Sequence, residues 1–145
     1  MDHPLERAIR LAARIHKGQL DRFGQPYILH VLRVVTHGRD VDEQVLGALH
    51  DVLERSELTV EDLREKGFAP QVLRAVVHIT RDPKESYEAY IERVARDPLA
   101  ARVKIHDLRD KMDLRDVAAL SPADRRRFDK QKVALERLKQ MEPSV

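Results

Sequence analysis

The sequence predicts an all-α domain, on three observations. Apolar residues recur at helical spacing in one segment after another. No segment of useful length alternates apolar and polar residues as a half-buried strand would. Helix caps, first-turn prolines and terminal glycines punctuate the segments. At 145 residues the chain suits one domain with a real core, and 42% apolar content excludes a disordered chain. We expect about seven to eight helices in one compact bundle, with no repeat and no linker to divide residues 1–145.

The first helix is expected from about Pro4 to Lys17, with Pro4 at a first position and Leu5, Ile9, Ala12 and Ile15 inward. His16 lies beside that face, and Gly18 ends it. Residues 18–26 form a loop by their Gly and Pro content. The second helix, about Tyr27 to His37, turns Ile28, Leu32 and Val35 inward and carries His30 near its start. The third, about Asp42 to Glu54, has apolar Val45, Leu46, Leu49, Val52 and Leu53 on one stripe, with His50 and Asp51 beside it.

Thr59 caps a short fourth helix with Asp62 three residues on, and Gly67 stops it. Val72, Leu73, Val76 and Val77 mark a fifth; Asp82-Pro83-Lys84 is a turn; Tyr87, Tyr90, Ile91 and Val94 give a sixth. Asp97-Pro98 opens a seventh carrying Leu99, Val103, Asp107 and Leu114. Ser121-Pro122-Ala123-Asp124 starts the last, a highly charged helix reaching about Gln140 that packs a narrow face of Phe128, Val133, Leu135 and Leu138.

Composition narrows the function. Aromatics are only 4% and Trp is absent, which disfavours base stacking on nucleic acid. Lys and Arg number 27 against 25 Asp and Glu, so there is no strongly basic balance, and no nucleic-acid partner is expected. The chain has no Cys, so a metal must use His and carboxylate ligands. There is no apolar signal core at the N-terminus and no run near the roughly 20 residues that span a bilayer. The expectation is a cytoplasmic protein without a membrane partner; its oligomeric state is not readable.

Burying a His-Asp pair without partners costs several kcal/mol, so His50-Asp51 at the edge of a core stripe points to a metal ion. His106-Asp107 is a second such pair, and His30 starts another helix. His30, His50, Asp51 and Asp107 together draw two imidazoles and two carboxylates from three helices. That set suits Mn²⁺, Fe²⁺ or Zn²⁺ and leaves positions open for water. Such an ion activates water near neutral pH and neutralises phosphate oxygens. His3, His37 and His78 read as solvated or capping residues. His16 reads as a core-edge residue bonded to a backbone carbonyl, or as support for the site.

Several stretches carry a resemblance: residues 13–19 (ARIHKGQ), 24–30 (GQPYILH), 48–54 (ALHDVLE), Gly67-Phe68, 86–91 (SYEAYI) and 103–110 (VKIHDLRD). In this order and at these separations the chain resembles the HD phosphohydrolase superfamily, within it the hydrolase domain of RelA/SpoT proteins and their small stand-alone relatives. The resemblance implies a compact helical fold holding one divalent ion, usually Mn²⁺, on His30, His50, Asp51 and Asp107. It implies hydrolysis of the 3′-pyrophosphate of (p)ppGpp by metal-bound water, with Glu54 orienting that water. Some small relatives instead remove the 2′-phosphate of NADPH. At this length a synthetase domain has no room, so the chain is not expected to make alarmones.

The departures are specific. The acidic pair of the family is Glu54-Arg55 here. Arg55 either favours ionised Glu54 and makes it a weaker base, reaches a substrate phosphate, or is solvated. The basic pair before Pro26 reads Asp21-Arg22: Arg22 still grips a phosphate or stacks on a base, while Asp21 repels an anion. The family Asn is Lys111, and Val31 stands where Pro is usual. Lys104, Arg109 and Lys111 are candidates for a replacement phosphate-binding set, or a solvated helix face. A different phosphorylated nucleotide, or a non-catalytic metal- and nucleotide-binding protein, are the alternatives.

Overall fold

The computed structural model describes residues 2–113 and 120–141. Among these, eight α-helices form and no strand does; the one β-bridge joins Leu20 to Pro26 in the loop that precedes the second helix. In chain order they are α1 (Pro4–Ile15), α2 (Tyr27–Thr36), α3 (Val41–Leu49), α4 (Val60–Glu65), α5 (Pro70–Ile79), α6 (Tyr87–Ala95), α7 (Pro98–Lys111) and α8 (Pro122–Met141). The all-α expectation is met. Leu114 lies outside the described residues.

Local chemistry starts these helices where the sequence indicated. Asp40, Thr59, Ser86 and Asp97 each accept a backbone N–H of the first turn, and Thr59 with Asp62 completes a capping box. His3 caps α1 by accepting the Leu5 N–H at 3.0 Å. His37 and His78 donate to carbonyls in the last turns of α2 and α5, as ordinary terminal residues do. Gly18 takes φ +79°, a conformation open to glycine without strain, and leads the chain away from α1.

Two central helices organise the bundle. α3 packs on α1, α2, α5 and α7, while α7 packs on α2, α3, α5, α6 and α8. Their shared core includes Leu46, Leu49, Val52, Val103, Ile105 and Leu108, all essentially inaccessible to solvent. Gly47 lets α2 come close to α3: a Cβ there would sit 3.3 Å from the Val35 backbone.

Three expectations need correction. The buried face of α1 is Ala8, Leu11 and Ala12, with Leu5, Ile9 and Ile15 at its margin, because neighbours on two sides shift the stripe. In α2 the deepest residues are Tyr27, His30, Val31, Val34 and Val35, while Ile28 and Leu32 are half-buried. On α8 the packed line is Gln131, Ala134 and Leu138; Val133 is 70% exposed, well round the helix from Leu138.

The third helix is also shorter than expected, with α3 stopping at Leu49. The His50 ring supplies the reason. Its Nδ1–H donates to the Gly47 carbonyl at 2.6 Å, competing for the acceptor that the Asp51 N–H would use in a continued helix. A tighter bond from Val52 N–H to the Leu49 carbonyl follows. His50 to Glu54 is therefore a turn, and Glu54 is not a regular helical turn along one face from His50.

Away from that turn, α3 and α7 share a buried ionic knot. Glu43 accepts from His106 Nε2 at 3.1 Å, from Arg39 at 3.2 Å and from Arg102 at 3.3 Å. This gives the second His-Asp pair a split role, with His106 serving packing. Burial alone would raise the Glu43 pKa, but its bonds from His106 and Arg39 outweigh that and hold it below the ordinary 4.5. Glu43 stabilisation is therefore full above about pH 4.5 and lost as pH falls through its lower folded value. Glu43→Ala removes the shared acceptor and is expected to cost about 3 kcal/mol in urea unfolding at pH 7. The difference from wild type should shrink toward pH 3.

Candidate metal centre

α2 supplies His30, the turn after α3 supplies His50 and Asp51, and α7 supplies Asp107. Each offers one ligand atom, and the four atoms lie within 4.8 Å of one another; all four residues are buried. Asp107 is the hub. Its Oδ1 lies 2.8 Å from His30 Nε2 and 3.3 Å from His50 Nε2, and its Oδ2 accepts from Lys104 Nζ at 2.8 Å. Lys111 Nζ stands 3.4 Å from Oδ1.

Both imidazoles are held by their outer nitrogen. His50 Nδ1–H is bonded to Gly47, and His30 Nδ1–H donates to Asp110 Oδ2 at 2.6 Å. Each ring thus turns Nε2 inward. His50 Nε2 is wholly buried and has no aligned hydrogen bond, although Asp51 Oδ2 is only 3.0 Å away. A buried nitrogen without a bonded partner, facing two carboxylates, fits a divalent cation held by nitrogen and oxygen ligands.

The electrostatics agree. Burial pulls the His50 ring toward its neutral form, but the Asp51 and Asp107 carboxylates overcome that and lift its pKa to about 10. Burial opposes ionisation of Asp51 too, yet the His50 charge holds it well below the carboxylate range. Asp107 is held down against burial chiefly by Lys104, then Lys111. Lys104 in turn is buried, which favours its neutral form, but Asp107 keeps it charged. Two carboxylates here demand positive charge at their centre.

Two supporting residues were missed in the sequence. The Tyr27 hydroxyl, three residues before His30, donates to Asp51 Oδ2. Asp110, three residues after Asp107, holds His30. The signal was the i, i+3 spacing from a proposed ligand on the same helix. His16 is buried, with Nδ1 2.8 Å from Gln19 Oε1, a side-chain partner in place of the expected backbone carbonyl. Gln19 Nε2 also donates to the Ile15 and Arg55 carbonyls, tying the end of α1 to the turn after α3.

Two cavities adjoin the cluster. One, of about 290 Å³, is lined by the basic Arg22, Arg33, Arg55, Lys111 and Arg127 and by the acidic Asp21, Asp110 and Asp113, among others. The other, about 270 Å³, is lined by Asp51, Glu54, Arg81, Lys104, Lys111 and Lys130 among others. Lys111, Arg127 and Gln131 line both.

Glu54 is exposed within the second cavity. Arg55 lays its guanidinium over the Tyr27 ring, 3.5 Å from the centroid, so it is neither freely solvated nor among the residues lining the Glu54 cavity. Arg22 reaches the first cavity from the 18–26 loop, 3.8 Å from Asp124 of α8. Asp21 lines the first cavity too, and its carboxylate accepts the Phe23 and Gln25 N–H groups and shapes the turn. Arg109 is exposed and lines neither cavity, so it is not brought to the cluster.

No family model matches the chain. It is 34% identical to the GTP pyrophosphokinase of Streptomyces coelicolor over 116 residues, 71% of this chain. It is 30% identical to the guanosine-3′,5′-bis(diphosphate) 3′-pyrophosphohydrolase of Aquifex aeolicus over 118 residues, and 31% to that of Vibrio cholerae over 137 residues, 73% and 86% of this chain. The chain spans only 14%, 17% and 19% of these three proteins' own lengths. The fold superposes with a TM-score of 0.72 on a solved metazoan orthologue of SpoT described as hydrolysing ppGpp, covering 98% of this chain and 97% of that one at 22% identity.

A cation entering this cluster must replace the proton that the carboxylates keep on His50. Titrating Mn²⁺ into chelator-treated protein at pH 7.5 is therefore expected to release about one proton per ion. Calorimetry in two buffers of different ionisation enthalpy reads that number, and His50→Ala should abolish the release.

Proposed function

We propose, for a chain that belongs to the RelA/SpoT family of HD-domain proteins, that it is a metal-dependent nucleotide phosphohydrolase removing the 3′-pyrophosphate of (p)ppGpp. The single observation that carries the reading is the buried His30, His50, Asp51 and Asp107 set beside two cavities in which basic residues outnumber acidic ones. Two names among the relatives describe opposite reactions, synthesis and hydrolysis of the alarmone pyrophosphate. A nitrogen and carboxylate cluster with positions left for water suits hydrolysis, in which water must be activated. In this reading residues 1–145 act as one such domain, in the cytoplasm where its nucleotide is found.

A divalent ion, Mn²⁺ by preference and Fe²⁺ or Zn²⁺ by donor type, would supply Lewis-acid activation of water and neutralise phosphate charge. The rest falls to the chain. His30 and His50 present Nε2 because Asp110 and Gly47 hold their other nitrogens. Tyr27 fixes the Asp51 carboxylate. Glu54 orients the attacking water and accepts its proton. Lys104 keeps Asp107 ionised and Lys111 faces both cavities, where it takes phosphate oxygens as charge builds on them. Arg22 grips the nucleotide from the loop. Arg55, stacked on Tyr27, contributes by packing and by its charge at the rim of the first cavity.

Anion-exchange chromatography of ppGpp, pppGpp and NADPH incubated with Mn²⁺-loaded protein tests this. GDP with pyrophosphate from ppGpp is the expected result, lost in Asp51→Ala. Phosphate release from NADPH alone would move the substrate to a 2′-phosphate, and nucleotide binding without turnover would make the domain a non-catalytic binder. Glu54→Gln should lower kcat by about a hundredfold while Mn²⁺ affinity stays within a factor of about two.

A further inference from the structure

His30 and Arg33 lie three residues apart on α2, and Asp107 and Asp110 lie three apart on α7. That spacing sets each pair on one helix face, and the two faces meet. His30 is gripped from α7 through both ring nitrogens: Nε2 lies 2.8 Å from Asp107 Oδ1, and Nδ1 lies 2.6 Å from Asp110 Oδ2. Arg33 completes the arrangement. Its Nε donates to Asp110 Oδ1 at 2.6 Å and its Nη2 to Oδ2 at 3.1 Å, a two-point grip on the carboxylate. The Asp110 side chain is 9% exposed and that of His30 only 5%, so the His30–Asp110 bond is largely buried, while Arg33 reaches it from the surface.

We propose that Asp110 and Arg33 are positioning residues for His30: Asp110 fixes the ring and its Nδ1–H, Arg33 fixes Asp110, and together they set how tightly the cluster binds a divalent ion. This rests on the reading that the cluster holds such an ion. The comparison with His50 sharpens the point. His50 takes its outer bond from the Gly47 carbonyl, which the backbone provides whatever side chain stands nearby. His30 takes its own from a side chain, which substitution removes. Without Asp110 the imidazole loses the partner that selects Nε2 as the inward nitrogen. A carboxylate on the outer nitrogen also makes the inward one a stronger donor to a metal. Arg33 lines the first cavity as well, so the grip on His30 reaches the surface where the nucleotide would sit.

The test is the affinity of chelator-treated full chain for Mn²⁺, read from the electron paramagnetic resonance of the free ion. Wild type is compared with Asp110→Ala, Asp110→Asn and Arg33→Gln. Asp110→Ala is expected to weaken binding about 10- to 100-fold. Asp110→Asn, which keeps an acceptor without its charge, should fall between it and wild type, and Arg33→Gln should lose less than Asp110→Ala. Nitrogen-15 spectra of the histidine rings in the chelated protein give a readout independent of metal and of turnover. The His30 Nδ1 signal should carry the signature of its hydrogen bond to Asp110 in wild type and lose it in Asp110→Ala. If Asp110→Ala fails to fold, Asp110→Asn and the half-exposed Arg33→Gln carry both measurements. Wild-type binding with variants inside a factor of about two and unchanged ring spectra overturns the positioning role and leaves the cation reading standing. No binding of Mn²⁺, Fe²⁺ or Zn²⁺ by wild type overturns the cation reading, and the proposal with it.

Discussion

Two carboxylates and two imidazoles meet in the interior of this bundle, and the rest of the molecule is arranged to make that tolerable. Asp107 has essentially no solvent exposure, and Asp51 has little. An ionised carboxylate in such a place costs several kcal/mol unless positive charge and hydrogen bonds replace water. Lys104, Lys111 and Tyr27 supply part of that replacement. The remainder falls at the centre of the cluster, where His50 is held protonated to a pKa of about 10. A proton and a divalent ion are thus rivals for one position.

The backbone is shaped by the same requirement. His50 reaches the cluster by bonding the Gly47 carbonyl, which ends α3 and swings the chain into a tight turn. Gly47 does double duty, since a side chain there would press on the α2 backbone that carries His30. α2 and α7 face each other through His30, Asp107, Asp110 and Arg33, so their contact is polar near the site and apolar elsewhere. The Glu43 knot ties α3 to α7 at a second part of their contact.

Much of this was legible in the sequence. Caps and glycines marked the helices because those signals are local, each set by one or two backbone groups. The four cluster residues stood out because buried His-Asp pairs are costly unless used. Three things were hidden. The faces of α1, α2 and α8 depend on neighbours, and periodicity alone does not say which side of a broad stripe lies deepest. The end of α3 depends on a side-chain bond from His50 that competes with a backbone one. Asp110 stands three residues after Asp107, but only the meeting of α2 and α7 gives it His30 as partner.

Charge decides what such a site accepts. With a divalent ion in the cluster, Asp51 and Asp107 would be neutralised, and the ammonium groups of Lys104 and Lys111 would remain in surplus. Arg81 and Lys130 on one side, and Arg22 and Arg55 on the other, extend that surplus to both cavities. Under the proposed phosphohydrolase reading, that surplus favours an anionic ligand over a neutral one. Arg55 belongs to this pattern. An acidic residue in its place would set a negative charge at the rim of the first cavity, but the guanidinium stacks on Tyr27, the residue that fixes Asp51. The substitution that looks in sequence like damage to an acid pair places a cation over the Tyr27 ring and beside the first cavity.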